Sequence, residues 1–195
     1  TTGTILPETH MPMDVFGIKI FDKKGDVVGE RLFAGLFTSV AYNRSPREIP
    51  LLQRKVETVL TQAGFAPNSH DGKALAHILE TYPRDELFQA SEAEILETAL
   101  GILHLQERQR IALFLRRDPF ERFVTCLIFL PKDAMSTQIR LRMQEVVCEA
   151  FKGTLSAYYV HLGDGALARI QLIVATHPGA VPEVETTHQS VPFPS

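Results

Sequence analysis

The sequence predicts an α+β fold: an antiparallel sheet with helices on one face, preceded by a helical spacer and a few N-terminal strands. Three observations carry this. Residues 110–174 switch from period-two to helical apolar spacing and back, in the order strand, strand, helix, strand, strand. Two helix-start signals, at Ser45 and Ser91, stand ahead of that stretch. Residues 15–40 alternate in short runs broken by a turn.

Residues 1–13 have no periodicity and read as a lead-in. Residues 15–21 alternate as a strand, Asp22-Lys23-Lys24-Gly25-Asp26 is a turn, and a strand resumes at Val27 and Val28. Residues 32–40 form a further strand candidate. So few strands hold too little chain for a core of their own. They are expected to close a domain that begins elsewhere, or to dock as an extra sheet. Ser45 can cap a helix, Pro46 suits its first position, and Glu48 completes a capping box. Ile49, Leu52, Val56, Val59, Leu60 and Ala63 form the apolar stripe, and Gly64 stops it. A second helix spans 70–79, and Pro83 interrupts it; Tyr82-Pro83-Arg84-Asp85-Glu86 reads as a helix-breaking corner with internal ion pairs. Ser91 and Glu94 form another capping box, opening a helix over 92–108.

Residues 110–116 place Ile111, Leu113 and Leu115 on one face. Residues 122–130 are apolar on both faces, as a covered central strand should be, and Pro131 ends them. A helix over 136–152 carries Ile139, Met143, Val146, Val147 and Ala150 as its stripe, with Gly153 placed to take the left-handed conformation after it. Residues 155–162 and 166–175 read as strands joined by a hairpin turn at Gly163-Asp164-Gly165. One helix on a four-stranded antiparallel sheet, joined by the helix before Arg110 on the same face, is a ferredoxin-like layout with permuted strand order. ACT-type regulatory domains use that layout, though a fold does not fix a function. Past Ala175, scattered prolines among Thr, Glu, His and Ser read as a linker or tail over 176–195.

The chain has 195 residues, 45% apolar and 22% charged, with net charge −3 and pI near 6.2. That balance argues against a general nucleic-acid surface. No apolar run approaches a membrane span, and no basic-plus-apolar start suggests secretion, so a cytoplasmic protein without a membrane partner is expected. Cys126 and Cys148 fall inside predicted core elements and read as buried thiols. A start without methionine and loop-like ends suggest a segment of a longer protein.

No catalytic constellation emerges. The seven histidines lack zinc-ligand spacing; His70 and His77 merely share a helix face. There is no GxSxG, no GxGxxG and no GxxxxGK[ST]. No catalytic, cofactor-binding or metal-ligating residue is assigned. The strongest charge feature is Arg108, Arg110, Arg116, Arg117 and Arg122, which could grip a carboxylate or phosphate. Glu107, Asp118 and Glu121 lie among them, so a salt-bridged surface or a contact with another domain is favoured. The candidates for effector binding or an interface are Arg116, Arg117, Gly163, Asp164, Gly165 and Arg169, the sheet edge near Gly163 being the candidate surface and the arginines its carboxylate clamp.

Several runs resemble the large bacterial NAD-specific glutamate dehydrogenases. They are Gly29-Glu30-Arg31-Leu32-Phe33-Ala34-Gly35-Leu36-Phe37-Thr38-Ser39, then Ser45-Pro46-Arg47-Glu48-Ile49, then Gly64-Phe65 and Ser69-His70-Asp71-Gly72-Lys73-Ala74-Leu75. The likeness continues through Leu79-Glu80-Thr81-Tyr82-Pro83-Arg84-Asp85, Gly101-Ile102-Leu103-His104-Leu105-Gln106-Glu107-Arg108 and Leu113-Phe114-Leu115-Arg116-Arg117-Asp118-Pro119. It covers about residues 16–174 and does not reach the tail. The resemblance implies a non-catalytic N-terminal region: residues 14–42 closing a PAS-like module, 43–108 a helical connection, and 109–175 an ACT-like module. It implies that NAD and the oxidative deamination of glutamate belong to a catalytic region outside this segment. It also implies partners in other domains of the same polypeptide, a homo-oligomer, and an amino-acid effector as the alternative to a purely architectural role.

Overall fold

The computed structural model describes residues 2–5, 13–35, 38–106, 110–177 and 189–191, with side chains described from residue 15 to 105 (36 and 37 aside) and from 110 to 177. It divides into two compact units, Thr1–Leu96 and Glu97–Ser195. The architecture is α+β, with two antiparallel sheets and a helical stretch ahead of the larger one.

In the first unit β1 (Thr2–Ile5), β2 (Met13–Phe21) and β3 (Val27–Gly35) form a three-stranded antiparallel sheet. The expected lead-in therefore contributes a strand, which pairs Thr2 with Phe16. The β2–β3 turn is shaped by the Asp22 carboxylate, which accepts from the backbone of Lys24 at 2.8 Å and Asp26 at 2.9 Å. Gly25 supplies the positive φ of 90° that the turn requires. Ile18, Ile20, Val28, Leu32 and Phe33 are all more than 40% exposed, so this sheet leaves much apolar surface uncovered.

The strand expected over 32–40 is shorter than that. It ends at Gly35, and α1 (Ser39–Asn43) is helical. Ser45 does act as a cap, but of a single 3-10 turn, Pro46–Glu48, where its hydroxyl accepts from Arg47 N. The long helix α2 (Pro50–Ala63) restarts afterwards. Pro50 is the cause: it suits the first helical position and forces Ile49 to be extended. Gly64 ends α2 in the left-handed conformation, φ 72°. α3 (His70–Glu80) is capped by Ser69, whose hydroxyl accepts from Gly72 N at 3.0 Å.

The predicted corner at Pro83 is a short helix, α4 (Arg84–Gln89), with Pro83 at its start. Its C-terminal carbonyls are gathered by one ammonium from α2: Lys55 Nζ donates to Leu87 O, Phe88 O and Ala90 O at 3.0, 3.0 and 2.6 Å. The capping box before α5 (Glu92–Gln106) is formed as predicted, with Ser91 N donating to Glu94 Oε2 at 2.7 Å and Glu94 N to Ser91 Oγ at 3.3 Å.

In the second unit the strands are β4 (Ile111–Arg117), β5 (Phe123–Pro131), β6 (Thr154–His161), β7 (Leu167–Ala175) and β8 (Gln189–Val191). They form one sheet in the order β6-β7-β5-β4-β8, every neighbouring pair antiparallel. The sheet has five strands rather than four. The stretch read as a tail returns β8 to the edge beside β4, pairing Val191 with Ile111. The rest of the expected tail beyond His177 lies outside the described residues. β5 is central and buried along nearly its whole length, which is why it reads as apolar on both faces.

Helix α6 (Thr137–Ala150) is capped by Ser136, which accepts from Ile139 N. It lays Val147, with Phe151 just past its end, on Val124, Cys126, Ile128, Leu130, Ile170 and Leu172. The left-handed residue after α6 is Lys152, φ 47°, not Gly153. Gly153 serves close approach instead: a Cβ there would lie 2.4 Å from Ala175 O on β7. Both cysteines are free, Cys126 buried and Cys148 half-buried, and burial pushes the Cys148 thiol up while its hydrogen bond with the Leu155 backbone opposes this.

Candidate functional site

The strand register separates the two candidate groups. Arg117 lies opposite Val124 and Phe123 opposite Ala175, so Arg116 and Arg117 sit at the end of the sheet where β5 begins. Pro131 lies opposite Leu167 and His161 opposite Arg169, so the Gly163 loop sits where β5 finishes. The nine residues of β5 stand between them, about 26 Å at 3.3 Å per residue. The arginines therefore supply no carboxylate clamp to the Gly163 edge.

The arginine end is internally satisfied. Asp118, 3% exposed, accepts from Arg122 Nε at 2.7 Å and Nη2 at 3.0 Å, and from the backbone of Phe120 and Arg122 at 3.2 Å each. The Arg122 guanidinium also lies 4.9 Å from the Phe120 ring centroid. Arg117 pairs with Glu121 at 3.3 Å. Arg116 is buried, 5.9 Å from the centroid of Phe123. The salt-bridged reading holds for Arg117 and Arg122. Arg108 lies outside the described residues.

At the other end, β6 and β7 are joined by residues 162–166, a loop longer than a two-residue hairpin. Neither Gly163 nor Gly165 has a positive φ. The loop is held from the far side: Lys132 N donates to Ala166 O at 3.0 Å, and Lys132 Nζ donates to Gly163 O. Lys132, His161 and Arg169 thus gather around one loop. Partial desolvation first, then Arg169 and Lys132, hold the His161 imidazole below its usual value near 6.5; Asp164 works the other way. A neutral imidazole among two cations, with one carboxylate, can receive an anion. It provides no nucleophile-and-base pair. Lys132 was missed in the sequence because it lies 31 residues before Gly163.

The depressed His161 value fixes a sign. The unfolded chain takes up this proton more readily than the folded one, so stability falls as pH drops below about 6.5 and levels off below the folded value. Urea unfolding of wild type and His161→Gln at pH 7.5 and 5.5 should show the wild type losing more stability on acidification. Equal losses would contradict the assignment.

Buried polar side chains on the opposite face of the sheet from α6 were also missed. Thr125 and Gln171 are 1% and 5% exposed, and among the described residues Thr125 Oγ1 and Gln171 Nε2 have no hydrogen-bond partner. Each interrupts an apolar strand, Val124-Thr125-Cys126 and Ile170-Gln171-Leu172, which is the only signal they leave in sequence. Valine has nearly the shape of threonine without the hydroxyl. Thr125→Val is therefore expected to stabilise the chain by about 1 kcal/mol in urea unfolding; a loss of stability would mean that the hydroxyl has a partner.

Among the described residues no group of three His, Cys, Asp or Glu is placed to hold a metal, and no helix is long and apolar enough to cross a membrane.

Comparison with known proteins places this arrangement. Residues 49–108, which contain α2 to α5, match the family model described as glutamate dehydrogenase, helical motif 1. Residues 112–190, from β4 into β8, match the one described as glutamate dehydrogenase, ACT2 domain. The chain is 48% identical over 167 residues to an NAD-specific glutamate dehydrogenase of Halomonas elongata, covering 85% of this chain and 10% of that protein. It is 42% identical over 171 residues to that of Pseudomonas aeruginosa, covering 87% and 11%, and 33% identical over 150 residues to that of Mycobacterium tuberculosis, covering 77% and 9%. The chain spans about a tenth of the length of these relatives. Two adjoining modules of one family, in order, account for most of its length, and the chain belongs to the glutamate dehydrogenase family that carries helical motif 1 and the ACT2 domain.

Proposed function

We propose that this chain is a non-catalytic architectural and regulatory segment of an NAD-dependent glutamate dehydrogenase. The parent reaction, oxidative deamination of L-glutamate to 2-oxoglutarate and ammonia, and its NAD site would lie in another region of the polypeptide. The observation that carries this is the match to a helical motif and an ACT2 domain over a tenth of the length of relatives called NAD-specific glutamate dehydrogenases. The apolar surface left on β2 and β3 supports a role in holding neighbouring domains or other copies of the chain, with residues 14–42 as part of a PAS-like module. The test is to mix this chain with L-glutamate and NAD and follow NADH. No turnover is expected, and enzyme-dependent NADH that persists through further purification would overturn the reading. In the full-length enzyme, Leu32→Glu should lower the oligomeric mass seen by light scattering; an unchanged mass would remove that face from the assembly.

The gathering of Lys132, His161 and Arg169 around Gly163-Asp164-Gly165 favours a second reading, an amino-acid effector site giving allosteric control. An effector acts only through a difference in affinity between two states. Calorimetric titration with each proteinogenic amino acid should then give saturable heat that Arg169→Gln abolishes. Absence of heat from all of them would leave the architectural role alone.

A further inference from the structure

We propose that the helical unit binds an organic carboxylate with an apolar body, in a cavity beside α2, α3 and the loop between them. The cavity measures about 530 Å³ and is floored by Leu60, Phe65, Leu75 and Ala76, with Arg47 and Lys73 as its charged lining residues. That volume lies in the range of small-molecule sites, which are mostly apolar with a few convergent polar groups. Among the described residues no acidic side chain lines it.

Two other cations of the same unit, Lys55 and Arg84, are held in hydrogen bonds. The side chains of Arg47 and Lys73 make none among the described residues. Three stretches that stand out in the sequence meet here: Ser45-Pro46-Arg47, Gly64-Phe65 and Ser69-His70-Asp71-Gly72-Lys73. Their architecture holds the wall in place. Ser69 Oγ donates to Ala66 O at 2.6 Å, and a Cβ on Gly72 would lie 2.3 Å from that same oxygen, so the loop closes on α3 only because residue 72 is glycine.

The chemistry selects a carboxylate. The backbone N–H groups of Gly72 and Lys73 are already taken by Ser69, through its hydroxyl at 3.0 Å and its carbonyl at 3.1 Å. The cavity therefore presents no nest of free amides of the kind that cradles a phosphate dianion. It presents two side-chain cations over an apolar floor. A carboxylate gripped by Arg47, with Lys73 adding charge and an alkyl or aryl body against Leu60, Phe65 and Ala76, uses both features.

This goes beyond the proposed architectural role and concerns a different unit from the Gly163 loop. The test is titration of the chain with 4-phenylbutyrate, followed by methyl NMR, with 4-phenylbutanol as its uncharged counterpart. Saturable shifts are expected at the Leu60 and Leu75 methyls. The alcohol should bind at least about tenfold more weakly, and so should the acid to the Arg47→Gln/Lys73→Gln variant. Arg54→Gln, an exposed change outside the cavity, should leave the affinity unaltered. No saturable shift up to about 10 mM acid would overturn the proposal. So would equal binding of acid and alcohol, or affinity unchanged in the double variant. Shifts confined to residues around Gly163 would likewise overturn it, while supporting the effector site in the sheet unit.

Discussion

Leu172→Ala is expected to lower the stability of the sheet unit by about 4 kcal/mol. Leu172 is fully buried on β7, opposite Cys126 on β5 and Tyr158 on β6. It belongs to the cluster under Val147 and Phe151, walled by β-strands on both sides. Backbone ladders on either side keep the site from collapsing, so the cost should sit in the upper part of the Leu→Ala range. Leu172→Met keeps the volume and should cost less than about 1.5 kcal/mol. Hydrogen exchange of β5 and β7 amides would read the loss in the unit where it occurs. A loss below about 2 kcal/mol would show that this core relaxes into the cavity.

Asp118→Ala should cost about 2 to 3 kcal/mol, for a different reason. The carboxylate accepts four hydrogen bonds, two from the Arg122 side chain and two from backbone N–H groups. Removing it strands both amides. Arg122 is 30% exposed and can still reach water, which keeps the loss below that of a fully buried pair. The turn also holds Glu121 at φ 56°, a conformation that only its surroundings maintain. Thr176 donates to Glu121 O at 3.0 Å and helps to pin it. Asp118→Asn retains an acceptor for the amides and should lose about half as much. Chemical denaturation of the three proteins gives the comparison; equal stability of Asp118→Ala and wild type would mean that the turn persists without its carboxylate.

Elements whose signals are local were legible in the sequence. The box at Ser91 and Glu94 and the stop at Gly64 each depend on groups within four residues, and each forms as predicted. The alternation of β4 and the unbroken apolar run of β5 reflect burial, which period two reports directly. Where two local signals competed, the second mattered more. Pro46 and Pro50 both suit a helix start, and Pro50 prevailed because it straightens Ile49 and cuts the first turn off. β1 and β8 left no pattern because short edge strands are made by their partner's ladder rather than by their own composition.

The candidate site divides the same way. Charge clustering around Arg116, Arg117 and Arg122 is visible in one dimension, and so are the acidic neighbours that neutralise it. The sequence alone determined the α+β class, the capping box at Ser91 and the central strand, because each of these follows from residues close together in the chain. Only the tertiary structure decided that the arginines and the Gly163 loop lie at opposite ends of the sheet, and that Lys132 joins His161 and Arg169. It alone brought Arg47 and Lys73 to one cavity. Strand register and helix packing set those distances, and both are settled by burial of surfaces far apart in the chain, a quantity that no local pattern contains.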